Sequence, residues 1–287
     1  MANTFDSALV TDVLRDAAIT VLQSRLAPLN SFSKDFSAEP VKPRATIQVP
    51  IATAGGTTQT NATDFESGNS TLDNVAVTVN QYSNSFALSN DELNQGFRLE
   101  NIAKINLHQL ANKIIDVALT PVTTTNFGSA VVDKDTAADV GVADLKTLWA
   151  ALKDGDVRNV IFDGSIYAQF LPANLEAFQV AAGGMNVGMY GFDLFTYNNR
   201  WSGAGTNIRG FACSPQAIAV ASGVPVQSAV ASDMVGQETV VIPDLGLSVQ
   251  MNMWVSRQSR SLWASYDVMF GASKADGSAL KILTLTP

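Results

Sequence analysis

The sequence predicts an α+β fold built on a long β-hairpin, a long helix and two long C-terminal strands. Three observations predict it. Residues 45–89 hold two alternating strands that flank a tract of Gly, Thr, Asn and Ser. Residues 90–119 carry apolar side chains at helical spacing. Residues 245–255 and 262–270 alternate apolar and polar almost without fault. A period of two marks a strand with one buried face, and recurrence at three and four marks a helix face.

Taken in order, residues 7–27 form a first helix. Leu9-Val10, Val13-Leu14, Ala17-Ala18 and Val21-Leu22 recur every four residues, Asp6 is placed to cap, and Pro28 ends the run. Residues 28–44, broken by Pro28, Pro40 and Pro43, read as an extended connector, so that 1–44 is an N-terminal helix and arm. In the hairpin, Ile47, Val49 and Ile51 share one face of the first strand; Val75, Val77 and Val79 repeat the pattern on the return. Between them, residues 52–74 offer only Phe65 and Leu72 as large apolar groups. Such a segment cannot bury enough surface to offset its ordering entropy. Loops beyond roughly 12–15 residues are uncommon in compact domains unless they serve a function. The ribbon is therefore expected to reach a neighbouring molecule, with Ile47, Val49, Ile51, Phe65, Leu72, Val75, Val77 and Val79 as its contact residues. Phe86 and Leu88 are out of phase with these valines, which predicts a bulge or bend near residues 82–84.

The helix over 90–119, with a break near Gly96, lines Ala103, Leu107, Leu110, Ala111, Ile114 and Ala118 on one face, and Pro121 closes it. A third helix carries Val142, Leu145, Leu148, Trp149 and Leu152. Residues 157–162 read as a buried strand, followed by a short helix capped by Asp163. Residues 192–197 and 211–221 are further strand candidates, and 281–286 a last strand. The boundaries fall at 1–44, 45–89, 90–155, 156–235 and 236–287.

At 287 residues and 46% hydrophobic content the chain can hold a substantial core. Only 15% of residues are charged, against roughly 25% in ordinary soluble domains. Hydroxyls and amides are cheaper to desolvate than unpaired charges, so this coat suits a surface covered by neighbours. A secreted β-rich protein can carry the same bias. The net charge of −8 argues against nucleic-acid binding by charge neutralisation. Cys213 is the single cysteine, so no intrachain disulfide can form, and the first residues lack a basic, apolar signal pattern. No apolar run approaches the ~18 residues of a membrane span.

The search for chemistry is thin. His108 is the only histidine and sits mid-helix; it reads as a surface or interface residue rather than a triad member. One Cys and one His cannot make a zinc site. Asp91-Glu92 fits a helix N-terminus, Asp154-Gly155-Asp156 a turn, and Gly203-Ala204-Gly205 lacks the spacing of a dinucleotide loop. Catalytic, cofactor-binding and metal residues are all expected to be absent.

The order of elements resembles that of a tailed-bacteriophage major capsid protein of the Hong Kong 97-like fold. The segments RNVIFDGSIYAQFL (158–171) and GGMNVGMYGFDLF (183–195) resemble that family's strand with Asp-capped helix and its turn-and-strand passage. The resemblance implies an N-terminal arm, an extended loop (45–89), a spine helix with part of the peripheral domain (90–155), an axial domain (156–235), and C-terminal strands returning to the peripheral sheet (236–287). It implies a non-enzymatic coat protein. Hexamers and pentamers would close into an icosahedral shell around double-stranded DNA held without sequence-specific binding. The location would be the virion, with assembly in the host cytoplasm and no membrane. A portal is expected, and, because a body-like helix begins near Ser7, a separate scaffolding protein. Some members cross-link a loop lysine to a neighbour; residues 52–74 contain none, so no covalent mesh is expected. An encapsulin-like compartment shares the implied fold, and a β-rich secreted adhesin or enzyme is the more distant alternative.

Overall fold

The computed structural model describes residues 7–53, 60, 71–88, 96–152, 157–170, 187–189, 191–198, 207–226, 234–256 and 261–286. In chain order, α1 (Ser7–Arg25) leads to β1 (Ser33–Val41), β2 (Thr46–Thr53), β3 (Thr71–Thr78) and β4 (Asn80–Leu88). Helix α2 (Gly96–Ala118) follows, then α3 (Thr124–Phe127), β5 (Val132–Lys134), α4 (Val142–Ala151), β6 (Asn159–Phe162) and α5 (Gly164–Tyr167). The remainder is strand: β7 (Val187–Met189), β8 (Phe192–Thr196), β9 (Ile208–Cys213), β10 (Ile218–Pro225), β11 (Met234–Val241), β12 (Ser248–Ser256), β13 (Ser261–Lys274) and β14 (Leu280–Leu285).

The first of two large sheets runs β1-β10-β13-β12-β11, and β4 also pairs with β13. The long alternating run of β13 explains its place at the centre. Leu262, Ala264, Tyr266, Val268 and Phe270 point to one face and are buried there with α1 and α2. The doublets of α1 supply Val10, Leu14, Ala17, Ala18, Val21 and Leu22 to this core. Helix α2 supplies Ala103, Leu107, Leu110, Ala111, Ile114 and Ala118, all at most 3% exposed. The Tyr266 hydroxyl, fully buried, donates to the Leu14 carbonyl at 3.0 Å and ties sheet to helix.

The second sheet runs β5-β14-β9-β6-β8-β7. Ile161, Phe195, Phe211 and Cys213 of this sheet join the first core. Val160, Phe162, Leu194 and Ala212 face the other way, against Leu145 and Leu148 of α4 and Ile166 of α5. Both faces being covered, all four residues of β6 are buried. The Asp163 side chain caps α5 by accepting from the Ser165 amide.

The structure regroups the sequence segments. Residues 28–44 are not a plain connector: β1 pairs in parallel with β10. Its register shifts between Phe36 and Pro40, where an edge strand tolerates a residue without an N–H. Strand β5 and helix α4, grouped in sequence with the long helix, belong to the second sheet. Residues 156–235 divide, with β6 to β9 in the second sheet and β10 and β11 in the first. Strands β12 and β13 lie in the first sheet, and β14 lies in the second. The cause is a double crossing. Strands β9 and β14 pair antiparallel, as do β10 and β13. The two passages between them stay bonded, Ser214 N–H to Ala279 O at 2.9 Å, Ala275 N–H to Ala217 O at 3.0 Å and Asp276 N–H to Gln216 O at 2.9 Å.

Candidate assembly surface

Strands β2 and β3 form a separate two-stranded sheet in which Ile47 faces Val77, Val49 faces Val75 and Ala52 faces Leu72. Two strands alone are marginal in water. This ribbon gains support by laying its apolar face on the first sheet. Val49, Ile51, Val77 and Val79 are buried against Ala219, Ala221 and Met269, with Ile47 and Val75 half-buried at the margin. Gly271 permits the approach: a Cβ there would stand 2.2 Å from the Thr78 carbonyl oxygen. The root is clamped by Arg44 N–H to Val79 O at 2.8 Å and Val79 N–H to Ala45 O at 3.0 Å. Arg44 takes a positive φ of 65° to turn the chain there.

The apolar residues expected from sequence to make contacts face the chain's own sheet. Ile47, Val49, Ile51, Val75, Val77 and Val79 line a face that docks within the chain, because β10 and β13 present small and apolar groups opposite them. The face left to solvent carries Thr46, Gln48, Pro50, Asn74, Ala76 and Thr78. Phe65 and the side chain of Leu72 lie outside the described residues. The phase change expected at residues 82–84 instead falls at Val79-Asn80, where the chain leaves the ribbon for β4. Val79 is buried, Asn80 and Gln81 are exposed, and Phe86 and Leu88 are buried on the helix side.

Beyond the ribbon root, the face of the first sheet turned away from the helices is laid out in rows by the register. Gln237, Asn252, Ser265 and Ser85 form one row; Thr239, Gln250, Asp267 and Ser83 form the next. Asp267 is the single charged side chain in these rows. It accepts from Asn252 Nδ2 at 2.6 Å and Ser265 Oγ at 3.0 Å. At the end of the sheet Trp254 and Trp263 stack 6.2 Å apart, 18° from parallel, with Val235 and Val255 exposed nearby. Gln250, Ser265 and Asp267 at the centre are already buried, and the exposed margin, Gln237, Thr239, Ser83 and Ser85, is uncharged, so that margin can be covered with little desolvation cost. Sequence reasoning missed it because β11 was not recognised; the available signals were the two tryptophans at facing positions of an otherwise legible strand pair.

The candidate chemical groups do not converge. The His108 Nδ1 is buried without a hydrogen-bond partner, and burial together with Arg25 and Lys104 lowers the pKa. Cys213 is fully buried, and desolvation pushes its thiol far above the ordinary range. Among the described residues no three His, Cys, Asp or Glu side chains group to hold a metal, and no helix is long and apolar enough to cross a membrane. Asp91-Glu92, Asp154-Gly155-Asp156 and Gly203-Ala204-Gly205 lie outside the described residues.

Neither a protein-family model nor a curated protein sequence matches the chain. Solved structures do. A virus-like particle from Pyrococcus furiosus superposes with a TM-score of 0.56 at 14% identity, over 95% of this chain and 98% of that one. The capsid of Ralstonia phage GP4 gives 0.54 at 11%, over 93% and 91%. The capsid of a native GTA particle gives 0.51 at 12%, over 92% and 91%. The chain has the Hong Kong 97-like capsid fold, an α+β architecture that accounts for the arm, the ribbon, the long helix and both sheets.

Proposed function

We propose that this chain is a major capsid protein that self-assembles into a closed shell, as hexamers and pentamers around double-stranded DNA, located in the virion and assembled in the host cytoplasm. Its role is structural and not enzymatic. The observation that carries the reading is a capsid fold spanning at least 92% of the chain in each of the three likenesses, with nearly the whole of each matching protein covered in return. The physical support is the surface. The ribbon offers a neutral outer face, and the sheet beside it an uncharged exposed margin on β4 and β11, so each copy presents area that a neighbour can cover cheaply. Many modest contacts of this kind sum in a closed assembly. A portal and a separate scaffolding protein complete the proposed set of partners. An encapsulin-like compartment, which would share this fold, is the second reading.

Negative-stain microscopy of the chain expressed alone tests assembly. Closed shells or capsomer-sized rings are expected, and a monodisperse monomer at all concentrations overturns the reading. Nuclease-protected DNA in shells from infected cells supports the virion role, whereas a co-purified enzyme supports the compartment.

A further inference from the structure

A cleft of about 360 Å³ opens where the end of α1, the second half of α2 and strand β8 meet. Ile115 and Phe195, both buried, give it an apolar floor together with Pro28 and Ala27. The rim is polar, with Ser24, Arg25 and Asn112. Tyr197 closes one side. Its hydroxyl lies 2.7 Å from the Asp116 carboxylate and 2.8 Å from the Asn112 carbonyl oxygen, so the neighbouring acid is already engaged.

Arg25 is exposed and makes no ion pair among the described residues. Its charge reaches His108, one turn before Asn112 on α2, where Arg25 and Lys104 help hold the imidazole neutral. Lys104 is itself paired with Glu100. The mouth therefore holds a guanidinium with no ion pair among the described residues above an apolar floor, while the Asp116 carboxylate is held by the Tyr197 hydroxyl. That combination suits a carboxylate next to a hydrocarbon group. It does not suit nucleic acid, which needs a series of cations along its phosphates. The volume is at the lower end of the range of small binding pockets, roughly 300–1,000 Å³.

We propose that this cleft docks an acidic peptide segment of a second protein. An aliphatic side chain sits on Ile115 and Phe195, and the adjacent carboxylate receives the Arg25 guanidinium in a two-point hydrogen bond. The assignment stands on the cleft alone and is independent of the shell reading.

Fluorescence anisotropy on the full chain tests it, with a labelled peptide bearing Leu-Glu-Leu in a Gly-Ser frame and a Leu-Lys-Leu counterpart. The natural chain is expected to bind the acidic peptide about tenfold more tightly than the basic one. Arg25→Glu is expected to reverse that preference, because it swaps the charge at an exposed position without touching the floor. Thr196→Trp, placed at the exposed wall, is expected to occlude the cleft and remove binding of both peptides. A melting curve establishes that each variant is folded. No saturable binding by the natural chain, equal affinity for the two peptides, or an unchanged preference in Arg25→Glu overturns the proposal. Shell formation is read separately by microscopy, so either result stands without the other.

Discussion

Replacing Gly271 by alanine tests whether the ribbon must lie flat on its own sheet. The added Cβ would stand 2.2 Å from the Thr78 carbonyl oxygen, 2.9 Å from its carbon and 3.1 Å from a methyl of Val77. A comfortable carbon–oxygen contact is about 3.3 Å or more, so the ribbon root has to rise by about 1 Å. Overpacking of this kind costs about 1–3 kcal/mol. A gap of that size also forfeits about a quarter to a half of the dispersion energy across it, here between Val49, Val77 and Val79 and the sheet beneath. Since β2 and β3 pair only with each other among the described residues, detachment of the ribbon is cheaper than unfolding of the body. Gly271→Ala should therefore lower the melting midpoint modestly, by roughly 2–4 °C per kcal/mol lost in a chain of this size. The larger effect should fall on amide exchange at Val79, whose N–H bonds Ala45 O at 3.0 Å. Microscopy should show assembly impaired, because every copy would present its ribbon at the wrong height. Full protection of Val79 together with natural shell yield would refute the view that the close approach at Gly271 sets the ribbon's position.

Two further predictions concern the core. Tyr266→Phe removes the buried hydrogen bond to Leu14 O; a loss of about 1 kcal/mol is expected, measured as a lower denaturant midpoint with unchanged slope. Cys213 should resist alkylation until the chain unfolds, since it is completely buried. Its folded pKa is raised, so the stability contributed by keeping this thiol protonated is complete below the ordinary thiol value of about 8.5. That contribution is lost progressively as pH rises above it, because the unfolded chain then releases a proton the folded chain retains. Cys213→Ala should flatten that alkaline decline; an unchanged slope would contradict it.

Helix α1 and the β12–β13 pair were legible in the sequence because each buries one face, and burial on one face writes a period into the chain. The stretch at residues 211–221, buried except at Pro215 and Gln216, carries no such period. It was read as one strand, although Pro215 marks where β9 ends and the chain changes sheets. Strands β1 and β11 escaped notice because they are edge strands held mainly by backbone pairing; in β11 only Val240 is fully buried. The ribbon's alternation shows in the sequence, but the sheet beneath it does not. Which surface receives Val49 and Val77 depends on contacts more than a hundred residues away, and the one local sign was a glycine, Gly271, inside an otherwise apolar strand. The Arg25 cleft has no linear signature, since three separate elements supply its walls.

The paired crossing between the sheets has a mechanical consequence. The shared core packs the two halves together, and the strands between them add a second constraint. Here the passages at 214–217 and 275–279 travel side by side, laced by main-chain bonds, like a door hung on two pins. Torsion between the halves would have to unzip that lacing, whereas flexing across the strip would leave it whole.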